Sequence, residues 1–414
     1  MPAKLLGLSI PLLEDLPSSC NRILLRIDVN SPIDPATGRI LDDTRFRAHR
    51  ETILELLDSG KSIAVLAHQG RPGEEDFTSL EAHAETLSRV IGVPVKFVED
   101  VIGPEARRAI KSLNPGEILM LDNTRLVSED YIEAPPEVHA KSIMVRRLSE
   151  VADCYVNDAF AASHRSQASL VGFPLVMPSA AGRLMQKELE AMNRILESPG
   201  KPKVFVIGGS KLRDMIEVIE HTVKHGIADY ILTTGLVALL FLSAKGVDVG
   251  EAKETLRKKG SETLIARARR ILKTGASILI PRDFIVEKEG ETSVNKAGNL
   301  EGAPKDIGPE TIAEYSLILR EARLVVMKGP AGVIEDPRFR RGTEELVKAA
   351  LEGGAYTVFG GGHFNVIISS LDEHLRKRVG HISTGGGALV YALTGRTLPA
   401  VEALSASLNF PYNR

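Results

Sequence analysis

Residues 356–371, YTVFGGGHFNVIISSL, constrain the fold of this chain more than any other stretch. A short apolar run passes through three glycines, Gly360 to Gly362, into a second apolar run of helical period, which reads as strand, glycine turn and helix. Such a turn strips side chains from the place where backbone N–H groups converge at a helix start, and a phosphate is well held there. The rest of the chain repeats the theme. Strands alternate with helical runs such as FRAHRETILELLDSG and SLEAHAETLSRVIG, the βαβ pattern of a parallel sheet.

The residues that end each apolar run divide the chain into two halves of different chemistry. In the first half the runs end in Arg26 and Asp28, in His68 and Arg71, in Asn123 and Arg125, and in Asn157, Asp158, His164 and Arg165. In the second half they end in Gly208, Gly209 and Lys211, in Gly235, in Gly329 and Gly332, in Gly360 to Gly362, and in Gly385 to Gly387. Ligands of open α/β sheets bind beyond the carboxyl ends of the strands. The first half therefore faces an anion with side chains and the second faces one with backbone.

At 414 residues the chain exceeds one ordinary core, and two domains are expected. A net charge of -2 argues against bulk nucleic-acid binding, and the basic helical stretches near 105–111 and 266–273 read as solvated helix faces. No apolar run approaches the roughly 20 residues of a membrane span, and no secretory signal pattern is seen, so a cytoplasmic protein is expected. Cys20 and Cys154 could pair, but isolated cysteines in an intracellular α/β protein are more often buried thiols, and they are read so here. Pro174 and Pro178 mark a break, after which AAGRLMQKELEAMNRILESPG reads as one amphipathic helix. The expected division is residues 1–177, an interdomain helix over 178–198, a second domain over 199–395, and a tail over 396–414 packing back toward the first domain.

Seven ordered segments carry a family resemblance: RIDVNSPI, DDTRFRA, HQGRP, VNDAFAASHR, GGSK, KGPAGVIE and STGGGA. In that order the chain resembles phosphoglycerate kinase, nearer its archaeal branch than its bacterial one. The resemblance implies two Rossmann-like domains facing a central cleft. It implies reversible transfer of the ATP γ-phosphoryl group to the carboxylate of 3-phosphoglycerate, giving 1,3-bisphosphoglycerate and ADP, with Mg²⁺ on the nucleotide. It also implies that the first domain holds the phosphoglycerate and the second the nucleotide. A monomer is expected, with a homodimer left open.

A carboxylate needs no general base to attack phosphorus, so positioning and charge neutralisation are the work expected of such a site. By the resemblance, Arg45 and Lys211 flank the transferring group, with Gly361 and Gly385 completing the catalytic set. Arg26, His68, Arg71, Arg125, His164 and Arg165 would hold the remote phosphate of phosphoglycerate, and Asp28 and Asn30 would meet its hydroxyl and carboxylate. Gly208, Gly209, Gly235 and Pro330 would let adenine and ribose lie against backbone, Glu335 would accept ribose hydroxyls, Gly360 to Gly362 would hold the nucleotide phosphates, and Lys211, Lys328, Gly329 and His363 complete the nucleotide-binding set. Asn157 and Asp158 read as supports for neighbouring groups.

Three departures from the family pattern stand out. His363 replaces a common aspartate beside the nucleotide-bound Mg²⁺, and imidazole is a poor ligand for so hard a cation, so no protein metal ligand is expected. Lys328 replaces a common asparagine, and Met215 a common lysine; Lys328 would supply the cation that Met215 lacks. A dehydrogenase is disfavoured because no strand is followed by G-x-G-x-x-G with a matching acidic residue, and a Walker-type ATPase because G-x-x-x-x-G-K-[ST] is absent. A non-catalytic two-domain protein that binds phosphorylated ligands remains as the alternative.

Overall fold

The computed structural model describes residues 2–409, which form two units: one contains the chain up to Met192 together with the segment from Thr397, the other is Asn193–Arg396. In the first unit six parallel strands lie in the spatial order Val95–Val98, Ile118–Leu121, Ser62–Leu66, Arg22–Arg26, Cys154–Asn157 and Ser179–Ala181. Helices cover both faces, so successive residues of one strand enter different cores. Ile23, Leu25, Ile63 and Val65 pack with Phe46, Ile53 and Leu87. Leu24, Ala64 and Leu66 pack with Ile110, Met144 and Leu148. That is why these strands read as unbroken apolar runs rather than as alternating ones.

The second unit has six parallel strands in the order Ile278–Leu279, Tyr230–Thr233, Lys203–Ile207, Leu324–Lys328, Tyr356–Gly360 and His381–Ser383. Taken along the chain this is the 3-2-1-4-5-6 order of a doubly wound dinucleotide fold. The direction of winding reverses between Lys203–Ile207 and Leu324–Lys328. Loops leaving those two strands diverge, and a crevice opens at their carboxyl ends. In the first unit the reversal falls between Arg22–Arg26 and Cys154–Asn157.

Three features depart from the sequence expectations. Cys20 and Cys154 are not thiols; they form a disulfide with Cα atoms 5.5 Å apart across 134 residues of sequence. Sheet register explains it, since Cys154 lies opposite Ile23 on the neighbouring strand, and Cys20 enters that strand just ahead of it. The long helix spans Arg183–Glu197, because Ser179–Ala181 instead adds a strand beside Tyr155–Asn157. Asp158 starts that helix by accepting the N–H groups of Leu184 at 2.9 Å and Met185 at 3.1 Å. The third is a three-stranded antiparallel sheet, with Asp283–Lys288 between Glu291–Lys296 and Ala303–Ile307. Its hairpin turns at Glu289 and Gly290, with φ of 52° and 86°, the left-handed pair that a two-residue turn requires.

In the first unit the helix Pro399–Ala406 packs Ala400 and Ala403 against Ala159, Leu170 and Val171, and the Ala400 N–H donates to the Ser163 carbonyl at 3.1 Å. Residues 410–414 of the expected tail lie outside the described residues. Among the described residues no helix is long and apolar enough to cross a membrane.

Candidate functional site

The carboxyl ends of the first unit's strands carry a dense group of cations. Arg26 ends its strand fully buried, donating from Nε to the Ser169 hydroxyl at 2.9 Å, from Nη1 to the Ile27 carbonyl, and from Nη2 to His68 Nδ1 at 2.9 Å. Ser169 is itself held by Asp130, which accepts its N–H at 2.7 Å and its hydroxyl at 3.0 Å. Because an arginine can only donate, His68 carries its proton on Nε2. Burial, then Arg26, Arg125, Arg165 and Arg45, hold His68 well below the usual histidine range, so it is neutral.

Arg125 lies next to this pair, donating from Nη1 to the Gly70 carbonyl, while its buried Nε has no partner among the described residues. Burial and the charges of Arg165 and Arg26 lower it to about 10. Arg165 is lowered by burial and by Arg71, and His164 by burial and by Arg165. Arg71 stands exposed, 4.0 Å from Glu74. Arg26, Arg71, Arg125 and Arg165 are thus gathered around the neutral His68, and few carboxylates oppose them.

Asp28 and Arg45 form a second pole of the same site. Asp28 is buried, accepts the Asn30 N–H at 3.1 Å, and pairs with Arg45 Nη1, whose side chain remains 35% exposed. Arg45 belongs to the short helix Thr44–Ala48, fixed by the buried Phe46. Asn30 accepts the Gly70 N–H at 2.9 Å, tying the loop after one strand to the loop after its neighbour. Behind Asp28 stands His49. Its Nε2 accepts the Asp28 N–H at 3.0 Å, and its Nδ1 donates to Asp158 at 2.7 Å. Asp158 thus supports neighbouring groups and does not reach toward a ligand. Asn157 does likewise, spending its amide on the Ala159 N–H and the Leu170 carbonyl.

In the second unit a cavity of about 730 Å³ occupies the crevice at the reversal of winding. Lys211, Gly235, Lys328, Pro330, Glu335 and His363 all line it, together with Gly208, Gly209, Gly329 and Gly360 to Gly362. The glycines divide into two kinds. A Cβ at Gly208 would lie 2.2 Å from the Thr234 hydroxyl and 2.6 Å from the Pro330 carbonyl, and one at Gly329 would lie 2.5 Å from the Gly208 carbonyl. These let two loops touch. At Gly362 and Gly386 a Cβ would meet nothing within 4 Å, so their bareness enlarges the cavity.

Lys328 ends its strand with Nζ 3.2 Å from the Gly386 carbonyl, and a Cβ at Gly361 would lie 4.0 Å from that same nitrogen. Its cation therefore sits among the bare glycines. Met215 is buried, and its side chain forms part of the cavity wall. His363 Nε2 lies 3.3 Å from the Glu335 carboxylate, joining the loops that follow two adjacent strands. Of the expected catalytic residues on this unit, Lys211 and Gly361 line the cavity and Gly385 does not; its N–H is taken by the Ser383 hydroxyl at 3.1 Å, and Gly386 and Gly387 line the wall in its place.

Sequence reading missed the uncharged and secondary groups. Leu236, Leu239, Phe284 and Ala303 supply an apolar wall, and Asp214, Glu251 and Asp306 supply carboxylates. Burial raises Asp306 to about 7, against the N–H groups of Gly342 and Ile307 that it accepts at 2.8 Å each. Phe284 and Ala303 come from the antiparallel sheet, whose strands lack the buried apolar runs of the parallel sheets. His49 stands one residue past the quoted DDTRFRA segment. Among the described residues no group of three or more His, Cys, Asp or Glu side chains could hold a metal ion.

Comparison with known proteins places these features in context. The family model described as phosphoglycerate kinase matches residues 13–396. The phosphoglycerate kinase of Aeropyrum pernix is 54% identical over 406 residues, 98% of either chain, and that of Sulfurisphaera tokodaii is 51% identical over 98% of either chain. The crystal structure of phosphoglycerate kinase from Pyrococcus horikoshii OT3 superposes with a TM-score of 0.90 at 39% identity, covering 97% of this chain and all of that one. The structure from Coxiella burnetii gives 0.77 at 29% identity.

Proposed function

The chain belongs to the phosphoglycerate kinase family, and on that premise we propose that it transfers the γ-phosphoryl group of ATP reversibly to the carboxylate of 3-phosphoglycerate. Family membership makes it a phosphotransferase and displaces the non-catalytic alternative. The cationic group on the first unit carries the acceptor assignment. Burial and the charges of Arg165 and Arg26 lower Arg125, burial and the charge of Arg71 lower Arg165, and a remote phosphate relieves the repulsion that such packing costs.

In this reading Arg125, Arg165, Arg71 and His164 hold the acceptor's phosphate. Arg26 and the neutral His68 form the floor beneath it. Asp28 and Asn30 face the carboxyl end, and Arg45, released from Asp28 as substrate enters, neutralises the oxygens of the transferring group. On the second unit the close-packed loops of Gly208 and Gly329 support the base and ribose. The open glycines, with Lys211 and Lys328, support the phosphates. Mg²⁺ would enter with the nucleotide and offset the charge of its phosphates, in the same cavity that Asp214, Glu251, Asp306 and Glu335 line.

The test is coupled reduction of the acyl phosphate formed from MgATP and 3-phosphoglycerate, comparing wild type with Arg45→Ala. Turnover is expected to fall by about 10²-fold or more, as for loss of one donor to a developing charge, with both ligands still bound. Unchanged turnover in Arg45→Ala would remove that residue from the transfer step.

A further inference from the structure

We propose that Gln69, backed by His83, is a positioning residue for the acceptor substrate; the inference rests on the acceptor site described above. Gln69 touches no ligand in that reading and is fully buried, yet it joins the three strand ends that carry the site. Its side-chain oxygen accepts the Ser31 N–H at 2.9 Å, and its side-chain nitrogen donates to the Ser31 carbonyl at 3.1 Å. This two-point pairing holds the residue next to Asn30 as a strand neighbour would. The backbone carbonyl of Gln69 accepts from the Asn123 amide at 2.8 Å, and Asn123 in turn accepts the N–H of Arg125 at 3.1 Å. The next residue, Gly70, gives its N–H to Asn30 and its carbonyl to Arg125.

The orientation of the amide follows from its partners. A backbone N–H can only donate, so the atom facing Ser31 N is the oxygen, and the Nε2 of His83 that lies 3.1 Å from that oxygen must carry a proton. His83 is fully buried on the helix Glu81–Ile91, its Nδ1 has no partner among the described residues, and Phe46, the neighbour of Arg45, lies 5.9 Å away ring to ring. A neutral histidine with one donor is what this position requires, and burial enforces it. The network therefore contains no charge of its own; it sets where Asn30, Arg125 and Arg71 stand relative to one another. An apolar residue of the same size at 69 would fill the space but leave Ser31 N–H, Ser31 C=O and His83 N–H without partners.

The test measures KM for 3-phosphoglycerate, KM for ATP, kcat and melting temperature in wild type, Gln69→Leu, His83→Leu and His83→Gln. Gln69→Leu is expected to raise KM for 3-phosphoglycerate roughly tenfold, the equivalent of one buried hydrogen bond lost from the site, and to leave KM for ATP within about twofold. His83→Leu should move the same constant in the same direction, and His83→Gln, which keeps a donor in place of Nε2, should restore it. If melting temperature falls while KM for 3-phosphoglycerate stays put, Gln69 only stabilises the fold and the proposal is overturned. Should Gln69→Leu fail to fold, the His83 pair decides alone, since failure of rescue by His83→Gln rejects the positioning role. Arg125→Ala separates the two readings. If it leaves KM for 3-phosphoglycerate unchanged, the acceptor site itself is misplaced; if it raises that KM while Gln69→Leu does not, only this inference fails.

Discussion

Single residues in this chain matter for what they hold apart as much as for what they touch. Gly208 and Gly362 both line the cavity of the second unit, but only the first is crowded. Gly208→Ala should destabilise the second unit by about 1–3 kcal/mol, because backbone at Pro330 cannot yield to a Cβ. Gly362→Ala, at an ordinary helical φ of -58°, should leave stability within about 0.5 kcal/mol while raising KM for ATP. Calorimetry and steady-state kinetics on the two variants check the contrast; a shared loss of stability would erase the distinction. Lys328→Met should cut turnover far more than it weakens adenosine affinity, since its cation lies beside the bare glycines rather than against the apolar wall. Equal losses in both would end the idea that it substitutes for the lysine replaced by Met215. At this scale the sequence showed the charged groups, because strand ends announce them. It hid the supporting groups His49, Gln69 and Ser169, whose roles depend on which loops become neighbours.

Elements were legible where their apolar pattern was continuous. The strands RILLR, SIAVL, KVFVI and LVVMK and their order of chemistry could be read directly, since burial on both faces leaves an unbroken signal. The hairpin of Asp283–Lys288 and Glu291–Lys296 could not, because the second of its strands is mostly exposed and lacks that signal. The disulfide escaped for a different reason: it depends on which strands are adjacent, and a spacing of 134 residues gives no hint of that. Closing so long a loop should be worth about 5 kcal/mol in lost freedom of the unfolded chain. Denaturant unfolding of the Cys20→Ala/Cys154→Ala double variant is expected to show a loss of about 3–5 kcal/mol in the first unit, and the wild type in denaturant without reductant should show no titratable thiol. Two thiols appearing there would return these residues to the reading as free cysteines.

For the molecule as a whole, the donor and acceptor sites proposed here lie on different units, and a phosphoryl group crosses only when its two ligands are brought together away from water. Small-angle scattering should therefore show a smaller radius of gyration with both ligands than with either alone; equal radii in all three states would reject closure. The division into units also bears on how the chain is made. The second unit is one continuous stretch, Asn193–Arg396, whereas the first is interrupted by it and recovers Ala400 and Ala403 for its core only afterwards. On a ribosome, the unit begun first is thus the one completed last. The second unit can reach its native contacts as soon as it emerges, while the first waits, partly assembled, for a segment encoded some two hundred codons downstream of Met192.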